Sequence, residues 1–209
     1  MKMLNAQRLF ASSTLIGIIL GGCATSQPIP ELSQPQSSGL GIDMTLMAPI
    51  GLFSAVPDDV YFVKIEGEGN LRQQQIVYSN FSKGGRVYLL NARPGSYVAV
   101  AASYLRPSGS TGSRFTTHFS MELVQQTQVT VRENDFVFMG SYVVKSSMWL
   151  RGTDGVLTNS MNVMLMANAG EYLYRGILLE RKNDEETHKE FFRKAKEDLA
   201  GSGWAARLR

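Results

Sequence analysis

The chain has 209 residues, of which 44% are hydrophobic and 19% charged, enough for one sizeable core and too close to an ordinary globular average for wholesale disorder or a polytopic membrane protein. Its 21 Lys and Arg stand against 18 Asp and Glu, and setting aside Lys2 and Arg8, which lie in a leader described below, leaves 19 basic groups and no electrostatic case for a nucleic-acid partner. One cysteine and two histidines exclude an internal disulfide and leave little for a metal site.

Residues 1–22 begin with Lys2 and Arg8, continue through an apolar stretch from Leu9 to Leu20, and end in small residues. That order is the pattern of a secretory leader, and the apolar run falls short of the roughly 20 residues needed to cross a bilayer. The leader is therefore expected to be removed. Its last residues, Leu20-Gly21-Gly22-Cys23, resemble the lipobox of bacterial lipoproteins at all four positions. The resemblance implies cleavage before Cys23, a diacylglyceryl thioether on its sulfur and an acyl chain on its new amino group, with no other cofactor. Ala24 stands where an Asp would resemble an inner-membrane retention signal, which implies sorting to the outer membrane of a two-membrane bacterium. Two or three acyl chains anchor far more firmly than one.

Residues 23–41 form the lipidated N-terminus and an expected tether, rich in Ser, Gln, Pro and Gly and lacking hydrophobic periodicity. A flexible chain of this length reaches about 25 Å, so the body is expected to stay near the membrane.

Residues 42–167 read as a mainly β domain. Alternating apolar residues, many β-branched or aromatic, occur in Val60–Ile65, Arg86–Leu90, Tyr97–Ala101, Phe115–Leu123 and Asp135–Phe138. Turn residues separate them at Asp58-Asp59, Gly67-Glu68-Gly69, Lys83-Gly84-Gly85, Pro94-Gly95, Glu133-Asn134 and Asp154-Gly155. Asp154-Gly155 suits a hairpin between Met148–Leu150 and Val156-Leu157. Seven to eight antiparallel strands in a β-sandwich is the expected solution. Gly85–Val100, with its Pro94-Gly95-Ser96-Tyr97 turn, resembles the motif of prealbumin-like, carboxypeptidase-regulatory β-sandwiches, whose domains are accessory modules.

Residues 168–209 change character. Glu171–Glu180 fits either a strand or a helix, whereas Asn183–Leu199 has helix signals: a cap at Asn183, charge pairs Glu185/Lys189, Glu190/Lys194 and Arg193/Glu197, and a stop at Gly201. Phe191, Phe192, Ala195 and Leu199 form its apolar stripe. Phe192, Trp204 and Leu208 exceed what docking a short helix needs and mark a candidate partner surface, the alternative being that the helix packs across the chain's own sandwich and caps its edge or one end.

Little in the chain composes a catalytic centre. On a continuous strand His118 shares a face with Thr116, Ser120 and Glu122, but neighbours at i and i+2 stand about 6.6 Å apart, and the reading is a solvated or cross-strand-paired His. Asp58-Asp59 has the composition of a turn. The segment containing Ser108, Ser110, Thr111 and Arg114 is a hairpin tip and a candidate ligand loop. Tyr61, Tyr78, Tyr88, Tyr97, Tyr104 and Tyr142 could line a sugar-binding face or cover core edges. The expected function is a lipid-anchored, non-enzymatic accessory or assembly subunit facing the periplasm with an envelope protein partner. The alternative is a glycan- or peptidoglycan-binding module, and an envelope hydrolase is a third, weaker reading.

Overall fold

The structure is a computed structural model that describes residues 27–48, 53–67, 71, 74–108, 111–147 and 171–208. The hairpin read around Asp154-Gly155 lies outside the described residues. In chain order the elements are β1 (Ser38–Met47), β2 (Ser54–Ala55), β3 (Asp59–Ile65), β4 (Ile76–Tyr78), β5 (Phe81–Lys83), β6 (Arg86–Ala92), β7 (Gly95–Ser108), β8 (Thr111–Phe119), α1 (Met121–Gln126), β9 (Val129–Val131), β10 (Phe136–Ser147), β11 (Glu171–Lys182) and α2 (Glu185–Asp198). A 3-10 turn, Ala205–Arg207, follows.

The chain is mainly β, but its strands form one curled mixed sheet in the order β4-β3-β7-β8-β11-β10-β1-β6-β5, with β2 beside β1 and β9 beside β7. This corrects the expected antiparallel sandwich. Two pairs, β1 with β10 and β8 with β11, are parallel. Their partners are far apart in sequence, so neither direction nor order was encoded in the local alternation that identifies a strand. The two ends of the path are brought side by side by Ser79-Asn80, which links β4 to β5. The Ser79 amide donates to the Val60 carbonyl on β3, and the Asn80 amide donates to the Tyr88 carbonyl on β6.

Several local features follow the sequence closely. Gly84 and Gly85, at φ of 58° and 87°, make the two-residue turn between β5 and β6, a backbone that favours glycine because a Cβ would clash there. In α2, Asp184 rather than Asn183 is the cap, its carboxylate accepting from the Thr187 amide at 2.8 Å. All three expected charge pairs form along the exposed side of the helix.

Two boundaries differ. β1 begins at Ser38, inside the expected tether, and supplies Leu40, Ile42, Met44 and Leu46 to the larger apolar cluster. The strand read through Leu123 stops at Phe119, because the Ser120 hydroxyl accepts from the Leu123 amide and starts α1. This short helix buries Leu123 and Val124 where the sheet splits. Thr127, directly after it, fills the gap by accepting the Ala99 amide of β7 at 2.8 Å.

A second apolar cluster lies on the other face of β1, β6 and β10. It joins Tyr88, Leu90, Phe136 and Phe138 to Phe191, Ala195, Leu199, Trp204 and Leu208 from the C-terminal segment, with Ile29 and Leu32 from residues 27–37 packed against it. Alternation divides each strand between the clusters: Val87 and Leu89 go to one, Tyr88 and Leu90 to the other. β1 contributes glycine to this second face. A Cβ at Gly41 would come within 2.5 Å of the Phe191 ring, and one at Gly39 within 2.9 Å of Phe136. Bare backbone at these two positions therefore lets α2 and the aromatic rings approach.

Candidate functional site

The expected partner surface at the C-terminus is not formed by Trp204 and Leu208, which are 0% and 2% exposed. This corrects the sequence reading, and the physical reason is an anchor the sequence reading missed. Asp198, at the end of α2, is buried and accepts from Arg86 Nε at 2.5 Å, Arg86 Nη2 at 3.0 Å and the Tyr88 hydroxyl at 2.7 Å. Two charge-assisted bonds in a fork geometry fix the register of the helix on β6. Burial and the Asp198 carboxylate hold the Tyr88 hydroxyl well above its ordinary pKa, and the guanidinium's own hydrogen bonds to Asp198 raise Arg86. Phe192 is half-buried, with its ring edge-on to Phe136 and beside His188.

The C-terminal aromatics cover the chain's own N-terminal strap, residues 27–37. The Trp204 indole N–H donates to the Pro30 carbonyl at 2.8 Å. Arg207 donates to the carbonyls of Ser37 (2.7 Å) and Pro35 and to the Asn134 side chain. Asn91, at φ 61°, grips the strap from β6: its carboxamide oxygen accepts from the Ser33 amide at 2.9 Å and its Nδ2 donates to the Glu31 carbonyl at 2.8 Å. At its start the strap reaches the seam of the curl, where Gln27 Nε2 donates to the Asn80 carbonyl at 3.2 Å. Most of the expected tether is therefore docked structure.

Cys23, Ala24 and Ser110 lie outside the described residues. Ser108 and Thr111 are the last paired residues of the β7–β8 hairpin, as the sequence reading placed them. Arg114 is committed inward: its guanidinium donates to Asp59 at 2.9 Å and to the Ser103 hydroxyl at 3.0 Å. Asp58 accepts from the Leu105 amide at 2.7 Å, so the acidic pair serves the turn and its neighbours.

His118 departs most from its expected role. It is 2% exposed, and neither ring nitrogen has a hydrogen-bond partner among the described residues, nor does the Thr116 hydroxyl. Burial pushes its pKa down to about 4, so the imidazole is neutral at physiological pH. Ser120 and Glu122 no longer share its face, because both belong to the α1 start. Among the described residues no cluster of His, Cys, Asp and Glu could hold a metal ion, and no helix is long and apolar enough to cross a membrane.

Of the tyrosines, Tyr61, Tyr88, Tyr97 and Tyr142 are buried, which assigns them to packing rather than to a shared binding face. Tyr104 is different. It lines a cavity of about 300 Å³ with Ala48, Phe53, Ser54, Ala55, Leu105 and Arg106, where the ends of β1, β2 and β7 approach. From there its ring stacks on Phe115 (5.1 Å between centroids, 8° between planes), which stacks in turn on Tyr174 (6.2 Å, 11°). Phe53 and Leu105 leave this mouth apolar and open, at 66% and 50% exposed. The sequence reading missed both; a Phe immediately before a two-residue strand carries no alternation to mark it.

Neither the protein-family models nor the curated proteins give any match to this sequence.

Proposed function

We propose that the protein is a lipid-anchored envelope protein, held by acyl chains on Cys23 at the outer membrane and acting as a non-enzymatic accessory or assembly subunit. The observation that carries the reading is the Leu20-Gly21-Gly22-Cys23 sequence in a chain with no other cysteine. The docked strap supports it, since a body fastened from Gln27 onward leaves only a short link to Cys23. Two charged pairs, Arg114 with Asp59 and Arg86 with Asp198, serve the structure. Intact-mass spectrometry of the protein extracted from membranes tests the anchor. The expected product begins at Cys23 and carries a diacylglyceryl group and a further acyl chain, and an unmodified chain beginning at Met1 would contradict it.

One observation favours a second reading, a glycan- or peptidoglycan-binding module. The mouth cavity opens beside the stacked rings of Tyr104, Phe115 and Tyr174, and aromatic faces are the usual platform for sugar rings. Titration of the protein with soluble peptidoglycan fragments separates the readings. Saturable binding that Tyr104→Ala abolishes would make this module the primary function, and no binding leaves the assembly subunit.

A further inference from the structure

Resting on the anchor reading above, we propose that the seam side of the curl, at β4 and the β5–β6 turn with β2 above it, lies against the lipid surface, while the outward face of β6 itself is covered by α2 and the strap. The opposite wall then faces away from the membrane. Two independent observations point to the same sector.

The first is the reach of the chain. Between Cys23 and Gln27 there are four residue steps, at most about 14 Å when fully extended. Gln27 is fastened to Asn80, in the link between β4 and β5. The acylated end of the chain therefore cannot leave the neighbourhood of that seam while the strap is docked. With nine strands in the path and about 4.8 Å between neighbours, opposite walls of the curl stand roughly 15 Å apart. β8 and β11 occupy the middle of the path and so form the wall farthest from the seam.

The second is where apolar side chains are left in solvent. Tyr78, at the end of β4, is 44% exposed, and Phe53 and Val56, flanking β2, are 66% and 50% exposed. β2 takes the edge of β1 at Leu46 and Met47, in line with β6, which pairs with the same edge as far as Asp43. Val56 lies over the β5–β6 turn, within 3.2 Å of where a Gly85 Cβ would stand. Lys83, 57% exposed and 3.8 Å from the Asp198 carboxylate that Arg86 already pairs, adds a cation to the same sector. Exposed aromatic and aliphatic side chains beside a cation suit the interfacial zone of a bilayer, where rings sit at headgroup level and lysine meets anionic lipid.

The far wall carries its own apolar pair, Ile177 and Leu179 on β11. β8 pairs with β11 only as far as Gly176. In the proposed orientation this stretch points away from the lipid.

The chain's lack of a second cysteine makes the test direct, because a thioether at Cys23 does not react with thiol labels. Single substitutions Val56→Cys, Tyr78→Cys, Ile177→Cys and Leu179→Cys are labelled with a fluorophore in the lipidated protein. Each is then bound to phosphatidylethanolamine/phosphatidylglycerol vesicles containing a headgroup spin label. Quenching is expected to be severalfold stronger at 56 and 78 than at 177 and 179, and a Gly/Ser insertion between Ser26 and Gln27 is expected to erase the difference. Equal quenching at all four positions, or stronger quenching at 177 and 179, in protein that floats with the vesicles would overturn the orientation alone. Protein that carries no acyl mass and does not float would overturn the anchor reading and the orientation with it.

Discussion

The two apolar clusters on opposite faces of the sheet are built by different means. The larger one takes alternate residues of successive strands, Leu40, Ile42, Met44 and Leu46 from β1 and Val87 and Leu89 from β6. It needs nothing more than the period of a strand. The smaller one joins the two ends of the chain: Ile29 and Leu32 from the strap, Phe191, Ala195, Leu199, Trp204 and Leu208 from the C-terminal segment, and the outward rings of Tyr88, Phe136 and Phe138 between them. A β1 with Gly39 and Gly41 has no outward side chains of its own at this place, so two distant segments supply them. The first cluster makes the sheet, and the second fixes where the N-terminus leaves the body.

The largest effect that would break this comparison comes from the side chain shared by both termini. Trp204→Ala removes a fully buried indole and its bond to the Pro30 carbonyl, and is expected to cost about 4 kcal/mol in urea denaturation. A loss under about 1 kcal/mol, the range of a surface substitution, would mean the second cluster contributes little.

The next belongs to the sheet. His118 has its pKa held near 4 by burial against an ordinary value of 6.5, so between those limits the unfolded chain binds the proton and the folded one does not. Stability is complete above pH 6.5 and falls as the pH drops toward 4, at about 1.4 kcal/mol per pH unit, or about 3 kcal/mol in all. His118→Leu is expected to flatten that acid limb in denaturation measured from pH 7 to 4. An unchanged slope would place the titration elsewhere.

A smaller effect sharpens the role of β1. Gly41→Ala puts a methyl group against Phe191 and Tyr88 and is expected to cost about 2 kcal/mol. Loosened packing should appear in the near-ultraviolet signal of the aromatic cluster, with far-ultraviolet strand content retained. The smallest is Asp184→Ala, which removes the cap of α2 and is expected to lower the urea midpoint slightly, with the helix's first turn fraying.

What was legible in the sequence follows the same division. Alternation marked β3, β6, the first half of β7 and the start of β10, and charge spacing marked α2 with its three ion pairs. Strand order was not legible, because parallel partners such as β1 and β10 meet through chain topology and not through local pattern. β1 itself was hidden by Ser38, Gly39 and Gly41, which read as linker because their missing side chains are replaced from elsewhere. The surplus aromatics at the C-terminus were read as a partner surface, but Trp204 and Leu208 are buried and the surface they form is internal. Its occupant is the protein's own strap, a pairing of residues more than 170 positions apart. The open mouth at Phe53, Tyr104 and Leu105 was illegible for a related reason, since β7 on one side of it is not a neighbour of β1 and β2 on the other.

The central claim is that the two ends of the chain clamp each other so that the body begins close behind Cys23. Hydrogen–deuterium exchange of residues 27–37 in the intact protein tests it most directly. The amides of Ser33 and Ser37, bonded to the Asn91 side chain and the Gln34 carbonyl, are expected to be protected in the native protein and to lose that protection in Trp204→Ala while β6 and β7 keep theirs. Exchange of the strap at free-peptide rates in the native protein would contradict the clamp.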